Sequence, residues 1–184
     1  MEAVPDLLTE AETVEMLAEK HGISLCVIGA MALAAYHYVR TTADLDLAGN
    51  IAVNDLVEFS ETLKAKGYIV ELRKPDAEDP LGGVLDIMTP AGLIQVISFA
   101  DRFPAVIQEG QQEADFVVRE NSRLKILPLA YLVVLKLYAG GLKSKADIYE
   151  VLSRNPGENL DRIEELCSKY RIRGFSEIRR ELGR

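Results

Sequence analysis

The chain has 184 residues, of which 48% are hydrophobic and 27% are charged, with 21 basic and 29 acidic side chains. This composition excludes a disordered or low-complexity protein and is typical of one globular domain, or of one domain with a small addition. The net charge of -8 argues against a protein that coats nucleic acid with its whole surface, because such binding needs a basic surface.

The N-terminal segment and the apolar runs predict neither export nor membrane insertion. Residues 1–15 carry five acidic side chains and no basic one, which is the wrong charge for a targeting signal. The longest apolar runs, residues 25–36 and 126–135, are shorter than the roughly 20 residues that span a bilayer. Cys26 and Cys167 are too few for a disulfide framework or a zinc site, so we expect a cytoplasmic protein without membrane contact.

The first predicted elements are a helix, a short strand and a second helix. Thr9 and Glu12 have the spacing of a capping box at the start of the first helix. A short strand over residues 24–28 then passes through Gly29 into an alanine-rich helix over residues 30–38. Such a glycine lets a phosphate approach the backbone N–H groups of the following helix.

A strand with two aspartates comes next. Residues 43–48 alternate between polar and apolar side chains, which places Asp44 and Asp46 on one face of a strand and Leu45 and Leu47 on the other. Two carboxylates on one face can share a divalent ion.

A third helix and further strands complete the first part of the chain. Asn54 is expected to cap the helix, and the turn residues 89–92 predict a hairpin. Asp86 is an isolated carboxylate in the first strand of that hairpin. In chain order, these predicted elements are a helix over 54–66, a strand over 68–72, a loop over 74–83, and strands over 84–88, 93–98, 116–118 and 124–126.

From Pro128 onward the pattern is helical. We therefore expect an α+β core with a mixed sheet over residues 1–127 and a helical C-terminal part over residues 128–184 that packs on the core. The four helices are predicted over residues 128–139, 143–153, 159–170 and 174–182.

The three strand aspartates are the strongest candidates for chemistry. With Asp86 from a neighbouring strand, Asp44 and Asp46 would form a magnesium site that binds nucleotide phosphates and orients a hydroxyl, which indicates phosphoryl or nucleotidyl transfer. Each aspartate also has a structural alternative, as part of a solvated strand face or, for Asp86, as a cap at a loop. A calcium loop from Asp44 to Asp55 is a weaker alternative, because Ala48 occupies a ligand position.

Basic residues are concentrated in two segments. Residues 169–184 contain six bases and two acids, and residues 117–146 contain six bases and one acid. These segments are candidates for contact with a phosphate backbone, or for helices stabilised by ion pairs. Lys136 lies within an apolar helix, where it should contact a carboxylate or a phosphate, or else extend to the surface.

Two segments resemble a known family. The sequence VIGAMAL at residues 27–33, followed by RTTADLDL at residues 40–47, resembles the opening of the polymerase-β-type nucleotidyltransferase superfamily, closest to its abortive-infection toxin-like (AbiE toxin) branch. Residues 129–152 are similar to the helical lysine and Lys-Asp-x-x-Asp region of that branch. The resemblance covers about residues 24–152 and is moderately specific.

The resemblance implies a magnesium-dependent nucleotidyltransferase that transfers a nucleoside monophosphate from a nucleoside triphosphate to a hydroxyl. It implies two Mg²⁺ ions, an acceptor that is a tRNA end or a protein hydroxyl, and an antitoxin protein as a partner. A small-molecule acceptor such as an aminoglycoside is an alternative, because it would use an acidic cleft and the loop carries the acids Asp76, Glu78 and Asp79. The implied metal ligands and catalytic groups are Asp44, Asp46 and Asp86, the last as ligand or general base, and the implied nucleotide-binding residues are Gly29, Ala30, Arg40, Thr42, Lys136 and Lys143.

Two positions depart from the pattern of this family. Ala30 replaces a serine or glycine that many members have, and Ser144 replaces the first aspartate of Lys-Asp-x-x-Asp. These departures favour an alternative function, that of a catalytically degenerate protein with the same fold that binds nucleotide or a protein partner without turnover.

Overall fold

The computed structural model describes residues 6–75, 82–100 and 103–183. These residues form eight helices and six strands, which confirms the predicted α+β class. In chain order the elements are α1 (Leu7–Glu19), β1 (Cys26–Val27), α2 (Gly29–Ala35), β2 (Asp44–Gly49), α3 (Val53–Ala65), β3 (Ile69–Arg73), β4 (Gly83–Thr89), β5 (Gly92–Ser98), α4 (Pro104–Glu113), β6 (Lys125–Ile126), α5 (Leu129–Ala139), α6 (Gly141–Arg154), α7 (Leu160–Lys169) and α8 (Phe175–Glu181).

The strands form one mixed sheet in the order β3-β4-β5-β2-β1-β6. Strands β2 and β5 are parallel, as are β1 and β6, and the other neighbours are antiparallel. The predicted hairpin joins β4 to β5, with Thr89 paired to Gly92 across the turn. This order places β2, which carries the two aspartates, in the interior of the sheet.

The two faces of the sheet differ in character. One face packs under α1 and α3, and its apolar residues on β2, β4 and β5 are fully buried. The opposite face carries the polar residues of the same strands, and we call it the aspartate face. The buried face includes Leu45, Leu47, Leu85, Ile87, Ile94 and Val96, and the aspartate face includes Asp44, Asp46, Asp86 and Gln95.

The C-terminal helices are arranged around α5. Its residues from Leu129 to Leu135 are all buried, because α5 contacts α2, α4, α6 and α7. A helix surrounded in this way is apolar on every side, which explains the long apolar run in the sequence. The division of the chain at residues 127 and 128 stays a prediction.

Helix α4 is absent from the sequence-based expectations. Gly110 within it weakens the helical pattern, since glycine is a poor helix former. The structure gives a reason for this glycine: a Cβ there would lie 2.6 Å from Leu127 Cδ1 and 3.1 Å from Tyr131 Cγ. The strand expected over 116–118 is also wrong, because only an isolated bridge joins Val117 to Lys125.

Both predicted helix caps are wrong. Helix α1 is capped by Asp6, whose side chain accepts a hydrogen bond of 2.7 Å from the Thr9 backbone N–H. Helix α3 begins after Ala52 without a side-chain cap, and Asn54 lies within it. Residues that can cap a helix are common near helix starts. A capping pattern in the sequence therefore predicts that a helix begins nearby better than it predicts the first residue of that helix.

Three smaller observations complete the fold. Within residues 6–75, 82–100 and 103–183, no helix combines the length and apolar character that a membrane span requires. Cys26 and Cys167 are free and buried, and burial raises the pKa of their thiols to about 12 and about 11, respectively. Most of the loop predicted over residues 74–83, with its acids Asp76, Glu78 and Asp79, lies outside the described residues.

Candidate active site

The site begins where the Gly29 turn meets strand β2. The backbone N–H of Ile28 donates a hydrogen bond of 2.9 Å to the carbonyl of Asp46, and Gly29 has a φ of 66°. A Cβ at Gly29 would overlap the Asp46 carboxylate. Only glycine fits here, because both the left-handed backbone and the close approach exclude a side chain.

The carboxylates of Asp44 and Asp46 lie on the same face of β2, as their alternation predicts. Asp44 accepts a hydrogen bond from the Thr42 hydroxyl. Burial, and then the charge of Asp44, raise the pKa of Asp46 to about 6, although Lys136, Arg40 and Lys143 act in the opposite direction. The charged form of Asp46 is therefore held in surroundings that disfavour it.

Three cations lie near Asp46, those of Lys136, Arg40 and Lys143. Lys136 Nζ lies 2.6 Å from Asp147 Oδ2, and Arg40 Nε lies 3.5 Å from Asp147 Oδ1. The Asp147 side chain is only 4% exposed. Arg40 Nε is buried and has no hydrogen-bond partner within the described residues, since its contact with Asp147 is an ion pair without hydrogen-bond geometry. Lys143 is exposed, yet close enough to influence the pKa of Asp46.

Lys136 therefore contacts a carboxylate, which is one of the outcomes expected for a lysine within an apolar helix. Its partner, Asp147, is absent from the set of predicted site residues. The signal for such a partner was the lysine itself, because a buried ammonium group requires an acid or another anion nearby.

Asp86 lies on the aspartate face but away from the carboxylate pair. In the sheet, Asp86 is opposite Gln95, and Gln95 is opposite Asp46, so one whole strand separates the two aspartates. Asp86 accepts hydrogen bonds from Arg73 Nε at 2.7 Å, Arg73 Nη2 at 3.1 Å and Gln95 Nε2 at 2.5 Å. Partial burial favours a higher pKa for Asp86, but the Arg73 and Gln95 bonds outweigh it and lower the pKa.

The donor set fits magnesium in part. In the described part of the chain, no group of three or more histidine, cysteine, aspartate or glutamate side chains is arranged to hold a metal ion. Mg²⁺ is commonly bound through one or two carboxylates together with substrate phosphates. Asp44 and Asp46 meet that requirement. Burial, and then the charge of Asp44, raise the pKa of Asp46, so a cation bound by the pair would stabilise its ionised form. Strand β2 pairs with β5 from Asp44 to Gly49, so the alternative of a calcium loop is wrong.

An apolar cavity of about 300 Å³ adjoins the Gly29 turn. It lies between the aspartate face of β5, helix α5 and the start of α6. The polar residues among its lining are Lys136, Ser144 and Tyr138. The other lining residues are Ile28, Gly29, Ile97, Phe99, Leu132, Leu135 and Ala139.

The other predicted nucleotide-binding positions lie around this turn. Ala30 is buried directly after Gly29, in the first turn of α2. Thr42 is half-buried, and its hydroxyl bonds Asp44. Gly29, Arg40, Lys136 and Lys143 are close to Asp46, through contact or through charge. The structure therefore brings all the predicted site residues except Asp86 to one place.

Several residues of the two basic segments form ion pairs with other parts of the chain. Arg119 pairs with Glu12 and Arg123 with Glu19, both on α1. In the C-terminal segment, Lys169 pairs with Glu109 on α4, and Arg179 pairs with Asp161 and Glu164 on α7. These partners neutralise part of the positive charge that a phosphate backbone would need.

No model of a known protein family matches the chain, and no curated protein matches it. Solved structures of nucleotidyltransferases, however, share its fold. The solution structure of the antibiotic-resistance factor ANT(2'')-Ia is similar with a TM-score of 0.57 and 16% identity, over 89% of this chain and 90% of that one. The crystal structure of ANT(2'')-Ia in complex with adenylyl-2''-tobramycin gives a TM-score of 0.55 and 15% identity, over 89% and 96% of the two chains.

A third similar structure is that of an antigenic nucleotidyltransferase-like protein from Paracoccidioides brasiliensis. Its TM-score is 0.54 and its identity 16%, over 82% of this chain and 76% of that chain. At these identities the similarity concerns the fold. The chain has a nucleotidyltransferase-like fold, as the sequence resemblance implies.

Proposed function

We propose that the chain is a magnesium-dependent nucleotidyltransferase, which transfers a nucleoside monophosphate from a nucleoside triphosphate to a hydroxyl group. One observation carries the proposal. Asp44 and Asp46 lie on one face of β2, with Asp46 against the Gly29 turn, and the cations of Lys136, Arg40 and Lys143 lie near Asp46. Separate acidic and basic groups in one site suit a substrate that consists of a metal ion and a polyphosphate.

The triphosphate would bind on the basic side of the site. Arg40 offers a buried N–H donor without a hydrogen-bond partner in the described residues, and Lys143 is exposed to a ligand. Lys136 is held by Asp147, which fixes the position of its ammonium group. At Ala30 the backbone N–H is the only donor, since alanine has no hydroxyl. Gly29 leaves open the space that a side chain would fill.

The carboxylates would hold magnesium, with two ions expected from the resemblance. Bound Mg²⁺ would neutralise the phosphate charges and the charge that develops in the transition state. An ionised carboxylate has about four lone-pair sites, and Asp86 uses three of them for Arg73 and Gln95. We propose that the acceptor hydroxyl donates to the fourth, loses its proton to Asp86, and attacks the α-phosphate while pyrophosphate departs.

The nucleoside would occupy the apolar cavity beside Gly29. Its volume of about 300 Å³ is at the lower end of the range for small-ligand pockets. Phe99 and Tyr138 offer aromatic surface for a base, and Lys136 lies at the same cavity. The cavity is lined by residues of the predicted core, 1–127, and of the predicted helical part, 128–184. One bound ligand would therefore contact both.

The resemblance and the comparisons support proposals for the acceptor and the biological role. The AbiE-like resemblance favours a tRNA end or a protein hydroxyl, and a role as a toxin with an antitoxin partner. The small number of cysteines favours the cytoplasm. One of the similar structures is a complex with adenylyl-2''-tobramycin, which favours an aminoglycoside. Both kinds of acceptor therefore belong in the activity test.

A second function is supported by the contacts of Asp86. Its ion pair with Arg73 and its lowered pKa make it a weak base, and Ala30 and Ser144 depart from the family pattern. The second candidate is therefore a protein of this fold that binds nucleotide or a protein partner without turnover.

The test is pyrophosphate release by the purified protein with each nucleoside triphosphate, Mg²⁺, and either total tRNA or tobramycin. The comparison is with the double variant Asp44→Asn, Asp46→Asn, and the matched control is Glu61→Gln, which changes an exposed carboxylate on α3. We expect release by the wild type and by the control, and at least a hundredfold lower rate in the double variant.

The outcomes distinguish the two functions. Magnesium-dependent nucleotide binding without release would support the non-catalytic protein. Equal release by the wild type and the double variant would contradict the proposed site. Absence of nucleotide binding would contradict the enzyme and would limit the second function to binding of a protein partner.

A further inference from the structure

Gln95 lies on the strand between the proposed metal ligand Asp46 and the proposed general base Asp86. It lies directly opposite Asp46 on one side and Asp86 on the other. Neighbouring strands are separated by about 4.8 Å, so the backbones at Asp46 and Asp86 are about 10 Å apart. Directly paired residues project from the same face, and the Gln95 side chain therefore lies on the aspartate face between the two carboxylates.

The contact with Asp86 fixes the orientation of the Gln95 amide. Gln95 Nε2 donates to Asp86 Oδ1 at 2.5 Å. An ionised carboxylate only accepts hydrogen bonds, so the NH₂ group must be the one that faces Asp86. The carbonyl oxygen of the same amide is consequently directed away from Asp86. Among the described residues, the Gln95 amide forms a hydrogen bond through its nitrogen to Asp86 and none through its oxygen.

Asp86 is poorly placed to be a third metal ligand. It is two strands away from Asp46, and Arg73 binds both of its oxygens. A metal ion at Asp44 and Asp46 would have to reach across the whole of β5 to contact Asp86. The amide oxygen of Gln95 lies on the adjacent strand, and amide carbonyls are accepted ligands of hard cations.

We propose that Gln95 supplies the third protein oxygen of the metal site, beside Asp44 and Asp46, and that Asp86 is not a ligand of the ion. The inference rests on the proposed function, since it concerns the metal site of that same reaction. The sequence left two roles open for Asp86, metal ligand or general base. The proposal assigns the role of ligand to Gln95 and leaves Asp86 the role of general base. It also gives Gln95 two contacts at once, the ion through its oxygen and Asp86 through its nitrogen.

The first test is Mn²⁺ binding, followed by the electron paramagnetic resonance signal of the free ion, without nucleotide. We expect Gln95→Leu to bind Mn²⁺ at least tenfold more weakly than the wild type. We expect Asp86→Asn, which keeps the size of the side chain, to bind within twofold of the wild type. Thermal unfolding of each variant establishes that it is folded.

A second pair of variants keeps the test decisive if Gln95→Leu does not fold. A thiolate prefers soft cations to hard ones, so Gln95→Cys should bind Cd²⁺ more tightly than the wild type and produce a thiolate-to-cadmium absorption band. Asp86→Cys, the matched control, should not produce the band. Both native thiols are buried, so they are not expected to contribute.

Each result supports or overturns the proposal. Loss of Mn²⁺ affinity in Asp86→Asn, or wild-type affinity in a folded Gln95→Leu, would overturn it, as would a cadmium band in Asp86→Cys alone. Failure of the proposed function is separate: in that case the double variant Asp44→Asn, Asp46→Asn would bind Mn²⁺ as well as the wild type. A wild-type chain that binds no Mn²⁺, either alone or with a nucleoside triphosphate, would overturn both.

Discussion

At the scale of single residues, Asp46 is held where its charge is unfavourable. The carboxylate lies against the Gly29 turn and beside Asp44, and burial and this neighbour raise its pKa to about 6. The native state therefore keeps the proton of Asp46 at pH values where the unfolded chain has lost it. A raised carboxylate pKa is expected in a cation-binding site without its cation. Ionisation of Asp46 then lowers the free energy of unfolding of the metal-free protein.

We predict that Asp46→Asn stabilises the metal-free protein at neutral pH. Between about pH 4 and pH 6 the native state binds more protons at Asp46 than the unfolded state, so this residue lowers the free energy of unfolding as the pH rises. The variant should be more stable than the wild type by about 1 to 3 kcal/mol at pH 7.5, with the difference vanishing near pH 3.5. Urea unfolding in EDTA at both pH values measures it, and a less stable variant at pH 7.5 would contradict the prediction.

Gly29 gives a second prediction, with a matched control in the same chain. Gly29 and Gly22 have almost the same backbone, with φ of 66° and 70°, but only at Gly29 would a Cβ meet another group, the Asp46 carboxylate. Gly22→Ala should cost about 1 to 2 kcal/mol from backbone strain alone. Gly29→Ala should cost more, and should also abolish Mn²⁺ binding. Equal costs in urea unfolding would show that the Asp46 contact is unimportant.

At the scale of elements, Asp147 joins three parts of the structure. It lies on α6 and pairs with Lys136 on α5 and with Arg40 in the segment before β2. Lys136 and Arg40 share the one buried carboxylate of Asp147. Removal of that carboxylate would leave both cations without this ion-pair partner. The position of α6 against α5 therefore depends on a charge as well as on apolar packing.

We predict that Asp147→Ala destabilises the protein by about 3 to 5 kcal/mol, the usual cost of breaking a buried ion pair. The control is Glu150→Ala on the same helix, which removes an exposed pair with Arg154 and should cost less than about 0.5 kcal/mol. Urea unfolding of the two variants compares them directly. Similar costs for the two substitutions would contradict a structural role of the buried pair.

Local patterns predicted most of the elements, and distant contacts account for what they missed. The alternation around Asp44 and the turn at residues 89–92 predicted β2 and the hairpin, because both depend on neighbouring residues. Helix α4 was missed because it contains Gly110, a poor helix former. The reason for this glycine is the close approach of Tyr131 on another helix, which local sequence does not reveal. The partner of Asp86, Arg73, lies on another strand, and strand pairing is not encoded in the spacing of either residue.

At the scale of the whole molecule, the proposed ligand would contact both parts of the chain. The aspartate pair belongs to the sheet, whereas Lys136 and Lys143 belong to α5 and α6. The cavity is lined by both as well. Nucleotide binding would therefore stabilise the core and the helical part together.

We predict that Mg²⁺ with the cognate nucleoside triphosphate, at about 100 times its dissociation constant, raises the melting temperature by about 5 to 10 °C. Hydrogen exchange should slow in β2 and in α5 and α6 together. The double variant Asp44→Asn, Asp46→Asn should show neither effect. Slower hydrogen exchange only in residues 1–127, or only in residues 128–184, would contradict a ligand that contacts both parts of the chain.

The burial of both thiols has a practical consequence for experiments on this protein. Cys26 and Cys167 are enclosed, and the high pKa of each keeps it as an unreactive thiol at neutral pH. A fluorophore or spin label can therefore be attached to one cysteine introduced on the surface, for example at exposed Leu142, while the native cysteines remain in place. Distance measurements from such a label would follow the start of α6 during substrate binding in an otherwise unmodified chain.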